Sequence, residues 1–138
     1  MKILIVGNGA RESALALKLK DDSRISKLYF AKGTVTTAEL GQNVYDESVE
    51  GLRDFAIKER IDLTIVGPEA PLVEGIVDEF KKHGLKIFGP EKRAAELEGS
   101  KAFSKKFMQT NNIKTAKAVV FDAYHDAIEY VRNQKFPI

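Results

Sequence analysis

The chain has 138 residues, 43% of them hydrophobic and 30% charged, with a net charge of +2, which is typical of a globular protein of one domain or slightly more. Its interspersed charges form no basic stripe for nucleic acid, and the absence of cysteine, with two distant histidines, excludes disulfides and a thiolate or histidine metal site. Because no apolar run reaches the length of a membrane span and no signal-peptide pattern begins the chain, we expect a cytoplasmic protein, monomeric and not associated with membranes.

The chain opens with a predicted strand, a glycine turn and a helix. Residues 3–6 form a short apolar run typical of a central parallel strand, Gly7 and Gly9 interrupt it, and a helical apolar period begins at Ala10. Ligands of parallel sheets bind at the carboxyl ends of the strands, where backbone N–H groups at a helix start face an anion. The turn is therefore the first candidate ligand site.

This turn is similar to the dinucleotide-binding pattern G-x-G-x-x-G, but Glu12 occupies the third glycine position. A carboxylate at that position crowds and repels a pyrophosphate. An NAD site also needs an acidic residue at the end of the second strand, where this chain has Lys32 and Gly33. The pattern disfavours NAD and indicates a smaller ligand with a phosphate and a hydroxyl or amine, to which the turn offers Arg11 and Glu12.

Strands and helices then alternate. Further short apolar runs predict strands at residues 27–31, 61–66 and 85–88, and residues 32–37 predict a polar turn at the same sheet edge as Gly7. Helical patterns cover residues 48–60, with Ser48 as the cap, and residues 71–82, followed by Gly84 as a left-handed cap. The alternation predicts an α/β fold with a Rossmann-like, doubly wound parallel sheet.

The pattern changes after Pro90. Two helices follow without a strand between them, at residues 91–98 and 100–111, and then a strand at 117–121, a helix at 123–133 capped by Asp122, and an extended piece at 136–138. These last elements are too few to close a sheet of their own. We therefore expect one domain at residues 1–100 and a second, cut short, at residues 101–138.

Four motifs lie along the chain in order: G-N-G-A-R-E at residues 7–12, V-G-P-E-A-P-L at 66–72, I-F-G-P at 87–90 and L-E-G-S-K-A-F-S-K-K-F at 97–107. Together they resemble the glycinamide ribonucleotide synthetases, or phosphoribosylamine–glycine ligases, a family of ATP-grasp enzymes several times longer than this chain. The resemblance implies a pre-ATP-grasp domain followed by the start of an ATP-grasp domain. It also implies phosphoribosylamine, glycine and ATP as substrates of the full-length enzyme, with Mg²⁺ or Mn²⁺, in purine biosynthesis.

By this resemblance the substrate site comprises residues of the first turn, of the second loop (residues 32–37) and of the second motif: Gly7, Gly9, Arg11, Glu12, Gly33 and Glu69. Glu12 and Glu69 would reach the ribose hydroxyls or the amine, and we expect both carboxylates to face one crevice. Lys105 resembles the lysine that approaches the ATP phosphates, with Lys101 and Lys106 close to it in sequence. No catalytic residue and no metal ligand is expected in this chain, which is predicted to be inactive alone.

The chain departs from the family pattern at two places. Ala10 and Ser13 replace residues of the usual G-N-G-G-R-E-H-A, and residues 32–37 replace the usual P-G-N-x-G-T with a sequence rich in threonine. A β-branched threonine resists the positive φ that glycine adopts. The second loop is therefore the part of the substrate site that differs most from the family.

Two other functions remain open. One is a stand-alone module that binds a phosphoribosyl compound, and the other is an NADP-binding oxidoreductase domain in which Lys32 contacts the 2′-phosphate. Glu12 of the turn and Glu69 of the second motif can also be ordinary first-turn residues, since carboxylates are favoured at helix N-termini. Binding of glycinamide ribonucleotide or of NADP separates these functions.

Overall fold

Five parallel strands form one sheet in the first part of the chain. A computed structural model describes residues 1–136, and within them the strands are β1 (Lys2–Val6), β2 (Lys27–Ala31), β3 (Gln42–Val44), β4 (Leu63–Val66) and β5 (Ile87–Phe88). They pair in the order β3-β2-β1-β4-β5. The predicted α/β fold with a Rossmann-like parallel sheet is confirmed. The strand order reverses between β1 and β4, the position at which such sheets bind ligands.

The helices fall into two compact units, residues 1–99 and residues from Ser100 onward. The first unit contains α1 (Ala10–Leu19), α2 (Val35–Ala38), α3 (Val49–Glu59), α4 (Glu69–Glu74), α5 (Ile76–Lys82) and α6 (Lys92–Gly99). The second contains α7 (Lys101–Thr110) and α8 (Tyr124–Arg132). None of the helices formed by residues 1–136 is long and apolar enough to cross a membrane.

Both faces of the sheet are covered, which explains why β1 is a continuous apolar run. Leu4 and Val6 belong to a core cluster that includes Phe80 of α5, whereas Ile3 and Ile5 belong to a second cluster with Ala16 of α1. Alternate residues of one strand therefore supply two apolar layers. Together these layers fix β1 and the turn that follows it.

The predicted ends of two elements are confirmed. The Ser48 hydroxyl accepts a hydrogen bond from the Gly51 N–H at 3.1 Å, so Ser48 caps α3. Gly84 has a φ of 68°, the left-handed conformation expected after the helix. The helix predicted at residues 71–82, however, is two helices, because Gly75 has a φ of 101° and ends α4 before α5 begins.

Two elements were not predicted from the sequence. The expected polar turn at residues 32–37 overlaps α2. This helix is stabilised at its start because the Thr37 hydroxyl accepts a hydrogen bond from the Thr34 N–H and the Thr34 hydroxyl accepts one from the Thr37 N–H. β3 follows it, and only Val44 of this three-residue strand is buried. A strand with polar Gln42 and Asn43 has no apolar run, so hydrophobic periodicity cannot identify it.

The second unit differs from its prediction. The strand predicted at residues 117–121 is wrong, since residues 114–121 form neither helix nor strand. The predicted Asp122 cap is also wrong, because α8 begins after Ala123 without a side-chain cap. Neither α7 nor α8 buries a residue fully. Of the extended piece predicted at 136–138, residues 137 and 138 lie outside the described residues.

Candidate functional site

A crevice of about 390 Å³ lies at the carboxyl ends of the central strands. It is bounded by the ends of β1 and β2, the loops after β3 and β4, and helices α3 and α4. The lining residues are Val6, Gly7, Asn8, Ala31, Lys32, Glu47, Leu52, Pro68, Ala70, Pro71 and Glu74. Its position beside the reversal of strand order makes it the candidate ligand site.

The glycine turn at this crevice is closely packed from below. Gly7 has a φ of 120°, and a Cβ at that position would lie 2.8 Å from both the Glu12 Cδ and the Pro68 Cδ. At Gly67, after β4, a Cβ would lie 1.8 Å from the Glu12 Oε1. Glycine is thus required directly after both β1 and β4, because the Glu12 side chain fills the space beside Gly7 and Gly67.

Glu12 is buried inside the turn, with 3% of the residue exposed. Its Oε2 accepts a hydrogen bond from the Gly9 N–H at 2.6 Å, so the carboxylate holds the start of α1. Its Oε1 is buried and has no hydrogen-bond partner among the described residues. A buried acceptor without a donor is costly, which makes this oxygen a place where an added donor would be favourable.

This arrangement bears on dinucleotide binding. In a dinucleotide site the backbone N–H groups of the glycine turn donate to the pyrophosphate, and the third glycine leaves room for it. Here the Gly9 N–H donates to Glu12, whose side chain also occupies the space beside Gly7 and Gly67. The geometry therefore disfavours NAD and NADP at this turn.

The predicted site residues are distributed around the crevice. Gly7 lines it, whereas Gly9, Gly33 and Glu69 each adjoin a lining residue in the chain. Arg11 and Glu69 are exposed on the first turns of α1 and α4. The expectation that Glu12 and Glu69 face one crevice differs from the observed placement, because the Glu12 carboxylate turns inward beneath Gly67.

Gly33 makes room for a neighbouring side chain. A Cβ at Gly33 would lie 1.9 Å from the Asn43 Oδ1. Asn43 in turn donates to the Thr34 carbonyl at 2.9 Å and accepts from the Thr37 hydroxyl at 2.9 Å. The glycine therefore allows Asn43 to connect α2 to β3, which orders the second loop.

Sequence reasoning missed two charged residues at the crevice, Glu47 and Glu74. It considered Lys32 as the first residue of the second loop and as a contact for NADP, but not as a phosphate ligand in the crevice. The Lys32 Nζ and the Glu47 Oε2 are 2.9 Å apart. Glu47 follows β3, and it could not be placed at this sheet edge while β3 itself was unpredicted. Lys32 directly follows β2, and this position at the carboxyl end of a parallel strand could have identified it as a residue of the crevice.

The lysine expected to approach ATP lies in the second unit. The Lys105 Nζ donates to the Thr115 Oγ1 at 2.7 Å and to the Ala116 carbonyl at 2.9 Å. Lys101 and Lys106 are exposed on the same helix. Among residues 1–136 no cluster of histidine, aspartate and glutamate side chains is arranged to hold a metal ion.

Several solved structures share the fold of this chain. The phosphoribosylamine–glycine ligase of Thermotoga maritima matches with a TM-score of 0.68 and 24% identity over 99% of this chain and 32% of that chain. The N5-carboxyaminoimidazole ribonucleotide synthetase of the same organism matches with a TM-score of 0.69 and 17% identity, over 94% of this chain and 36% of that chain. The biotin carboxylase domain of a Hydrogenobacter thermophilus 2-oxoglutarate carboxylase, solved with magnesium ADP, matches with a TM-score of 0.71 and 16% identity. This match covers 99% of this chain and 33% of that chain. These likenesses show that the chain shares the fold of about a third of each of these three proteins.

Sequence comparison then gives the family. Residues 1–98 match the family model described as Phosphoribosylglycinamide synthetase, N domain, and the chain belongs to this family. It is 51% identical over 140 residues to the phosphoribosylamine–glycine ligase of Clostridium acetobutylicum and 48% identical over 142 residues to that of Escherichia coli K12. Each match covers the whole of this chain, but only 34% of the Clostridium protein and 33% of the Escherichia coli protein. The chain therefore spans about a third of the length of these relatives.

Proposed function

We propose that this chain is the substrate-binding, amino-terminal part of a ligase that joins phosphoribosylamine to glycine with ATP, giving glycinamide ribonucleotide. The observation that carries the proposal is the crevice at the strand-order reversal, built on a glycine turn whose Gly9 N–H donates to Glu12 and is not free for a dinucleotide pyrophosphate. A single sugar phosphate needs less room than a dinucleotide. The identity to phosphoribosylamine–glycine ligases across the whole chain supports the same ligand.

In this proposal the crevice holds the phosphoribosyl group. Gly7 allows the ligand to approach the backbone, and Glu12 positions the turn beneath it through its bond to the Gly9 N–H. Glu69 lies between the lining residues Pro68 and Ala70, and its exposed carboxylate can accept from the ribose hydroxyls or the amine. Arg11 and the loop at Gly33 lie at the margin of the same site.

ATP and Mg²⁺ belong to the full-length enzyme in this proposal. The described residues do not fit a metal ion, so we assign the chain no step that passes through one. Lys105 remains the candidate for ATP, because its ammonium already bonds two oxygen acceptors, and phosphate oxygens could replace them. We expect purified 138-residue chain to form no glycinamide ribonucleotide from ATP, glycine and phosphoribosylamine, and ATP-dependent product would contradict this assignment.

Titration of the chain with glycinamide ribonucleotide, followed by amide chemical shifts, tests the substrate site. Glu69→Gln keeps the shape but removes the charge, and we expect a loss of roughly 1.5 to 3 kcal/mol, or about ten- to hundredfold in affinity. Glu96→Gln is the matched control, since Glu96 is an exposed glutamate on α6.

The outcomes separate the candidate functions. The substrate site is supported if the parent chain binds glycinamide ribonucleotide, if Glu69→Gln weakens this binding and if Glu96→Gln leaves it unchanged. Equal binding to parent and Glu69→Gln removes Glu69 from the site. A parent that binds NADP but no glycinamide ribonucleotide would favour the oxidoreductase alternative, and a parent that binds neither refutes the proposed function for this chain.

A further inference from the structure

Lys32 occupies an unusual position at the mouth of the crevice. It directly follows β2, its backbone N–H donates to the Val44 carbonyl at 3.1 Å, and its φ is 60°. For a residue other than glycine, this left-handed backbone conformation costs on the order of 1 kcal/mol of folding free energy. The conformation places a lysine, with 59% of its side chain exposed, at the rim of the crevice.

The partner of Lys32 stands on a loop with fixed geometry. Glu47 lies between Asp46 and Ser48, and the Asp46 Oδ1 accepts from the Ser48 N–H at 3.0 Å and from its hydroxyl at 2.7 Å. These bonds favour the ionised carboxylate and hold the pKa of Asp46 below its ordinary value. The Glu47 carboxylate lines the crevice, 2.9 Å from the Lys32 ammonium.

The charges of the crevice do not suit a phosphate as they stand. Among the lining residues in the described part of the chain, Lys32 is the one cation, and Glu47 and Glu74 are anions. The Gly9 N–H, which could have faced an anion, donates to Glu12. Among the described lining residues, Lys32 is therefore the side chain that can offer positive charge to a phosphate, and Glu47 already neutralises it.

We propose that Lys32 recognises the phosphate of a sugar phosphate bound in the crevice, and that Glu47 competes with this phosphate for the Lys32 ammonium. The inference rests on the proposed function and adds to it the residue that selects the phosphorylated ligand. Because the ion pair is half exposed, its opening costs little. A doubly charged phosphate is a stronger partner for the ammonium than the single carboxylate.

The test compares glycinamide ribonucleotide with the riboside that lacks the phosphate, by the same amide titration. We expect Lys32→Gln to weaken ribonucleotide binding about tenfold and to leave the riboside unchanged, since a charge-assisted hydrogen bond is lost. Glu47→Gln should strengthen ribonucleotide binding about threefold, because the competing carboxylate is gone. In the double variant that gain disappears, and Lys32→Arg keeps the parent's preference.

Lys81→Gln is the matched control, because Lys81 is also an exposed lysine paired with a glutamate, Glu91, at 2.6 Å, and it does not line the crevice. A parent that prefers the ribonucleotide, with the two opposite effects above, supports the inference. If the parent binds both ligands equally, or if Lys32→Gln weakens both alike, the inference is overturned while the proposed function stands. If the parent binds neither ligand, the proposed function fails and the inference fails with it.

Discussion

Replacement of Gly67 by alanine tests the packing beneath the crevice directly. The new Cβ would lie 1.8 Å from the Glu12 Oε1 and 2.6 Å from its Cδ, distances that no pair of atoms tolerates, so the Glu12 side chain must move. Overpacking of this kind costs about 1 to 3 kcal/mol, and the hydrogen bond from Gly9 to Glu12 contributes roughly 1 kcal/mol more. We expect Gly67→Ala to lower the free energy of unfolding by about 2 to 4 kcal/mol.

The second variant of this experiment removes the obstacle. Glu12→Ala alone should cost about 1 to 2 kcal/mol, because the cap of α1 is lost while a buried oxygen without a partner is also removed. In the Glu12→Ala background, Gly67→Ala meets no carboxylate and should cost little. The two substitutions are therefore expected to be non-additive by about 2 kcal/mol, measured by urea unfolding followed by circular dichroism.

Gly84→Ala serves as the control for this cycle. A Cβ at Gly84 meets no atom within 4 Å, so its cost comes from the φ of 68° alone. Combined with Glu12→Ala it should be additive to within about 0.5 kcal/mol. Additivity of Gly67→Ala with Glu12→Ala to the same precision would mean that the carboxylate does not lie against Gly67, and the account of the turn would be wrong.

Three further predictions concern the rest of the chain. Ser48→Ala should cost about 1 kcal/mol in urea unfolding by removing the α3 cap, whereas Ser48→Thr should keep most of it, and equal losses would contradict the cap. The hydrogen bond from Arg53 holds the pKa of Glu79 below its ordinary value, so this pair stabilises the fold above the usual carboxyl pKa of about 4.3 and loses that contribution as pH falls through the folded-state pKa. The Tm difference between parent and Glu79→Gln should therefore shrink from about pH 5.5 to about pH 2.5, and a constant difference would refute it. Amides of residues 114–121 should exchange fast beside slow exchange in β1, and equal protection would count against the unpaired segment.

The strands at the centre of the sheet could be predicted from the sequence because their information is local. β1 and β2 are apolar runs buried on both faces, and the predicted bounds of β2 match the structure at both ends. β3 could not be predicted in this way, since its pairing with β2 and not its own polarity makes it a strand. The reverse error occurred at residues 117–121, where strand-forming residues have no strand to pair with in the described part of the chain.

The position of the site was predictable, but the direction of its side chains was not. The turn after β1 is at the crevice, as parallel sheets require. The inward turn of Glu12 depends on Gly67, which is distant in sequence and meets Glu12 only through the pairing of β1 with β4. One local signal existed, because a glutamate three residues after an N-cap position is typical of a capping box.

Glutamate at the position of the third glycine also changes the electrostatics of the turn. In a dinucleotide site the turn supplies the positive potential, through free N–H groups at the helix start. Here Glu12 consumes the Gly9 donor and places a carboxylate within the turn, so this potential is reduced where a phosphate would otherwise bind. An anionic ligand in the same crevice then needs a cation from elsewhere, and Lys32 on the neighbouring strand is the basic side chain that the described lining provides. Glu12 belongs to the usual family pattern of the first turn, whereas Lys32 stands where that pattern has proline, so the lysine is a cation that this chain adds beside a turn it shares with the family.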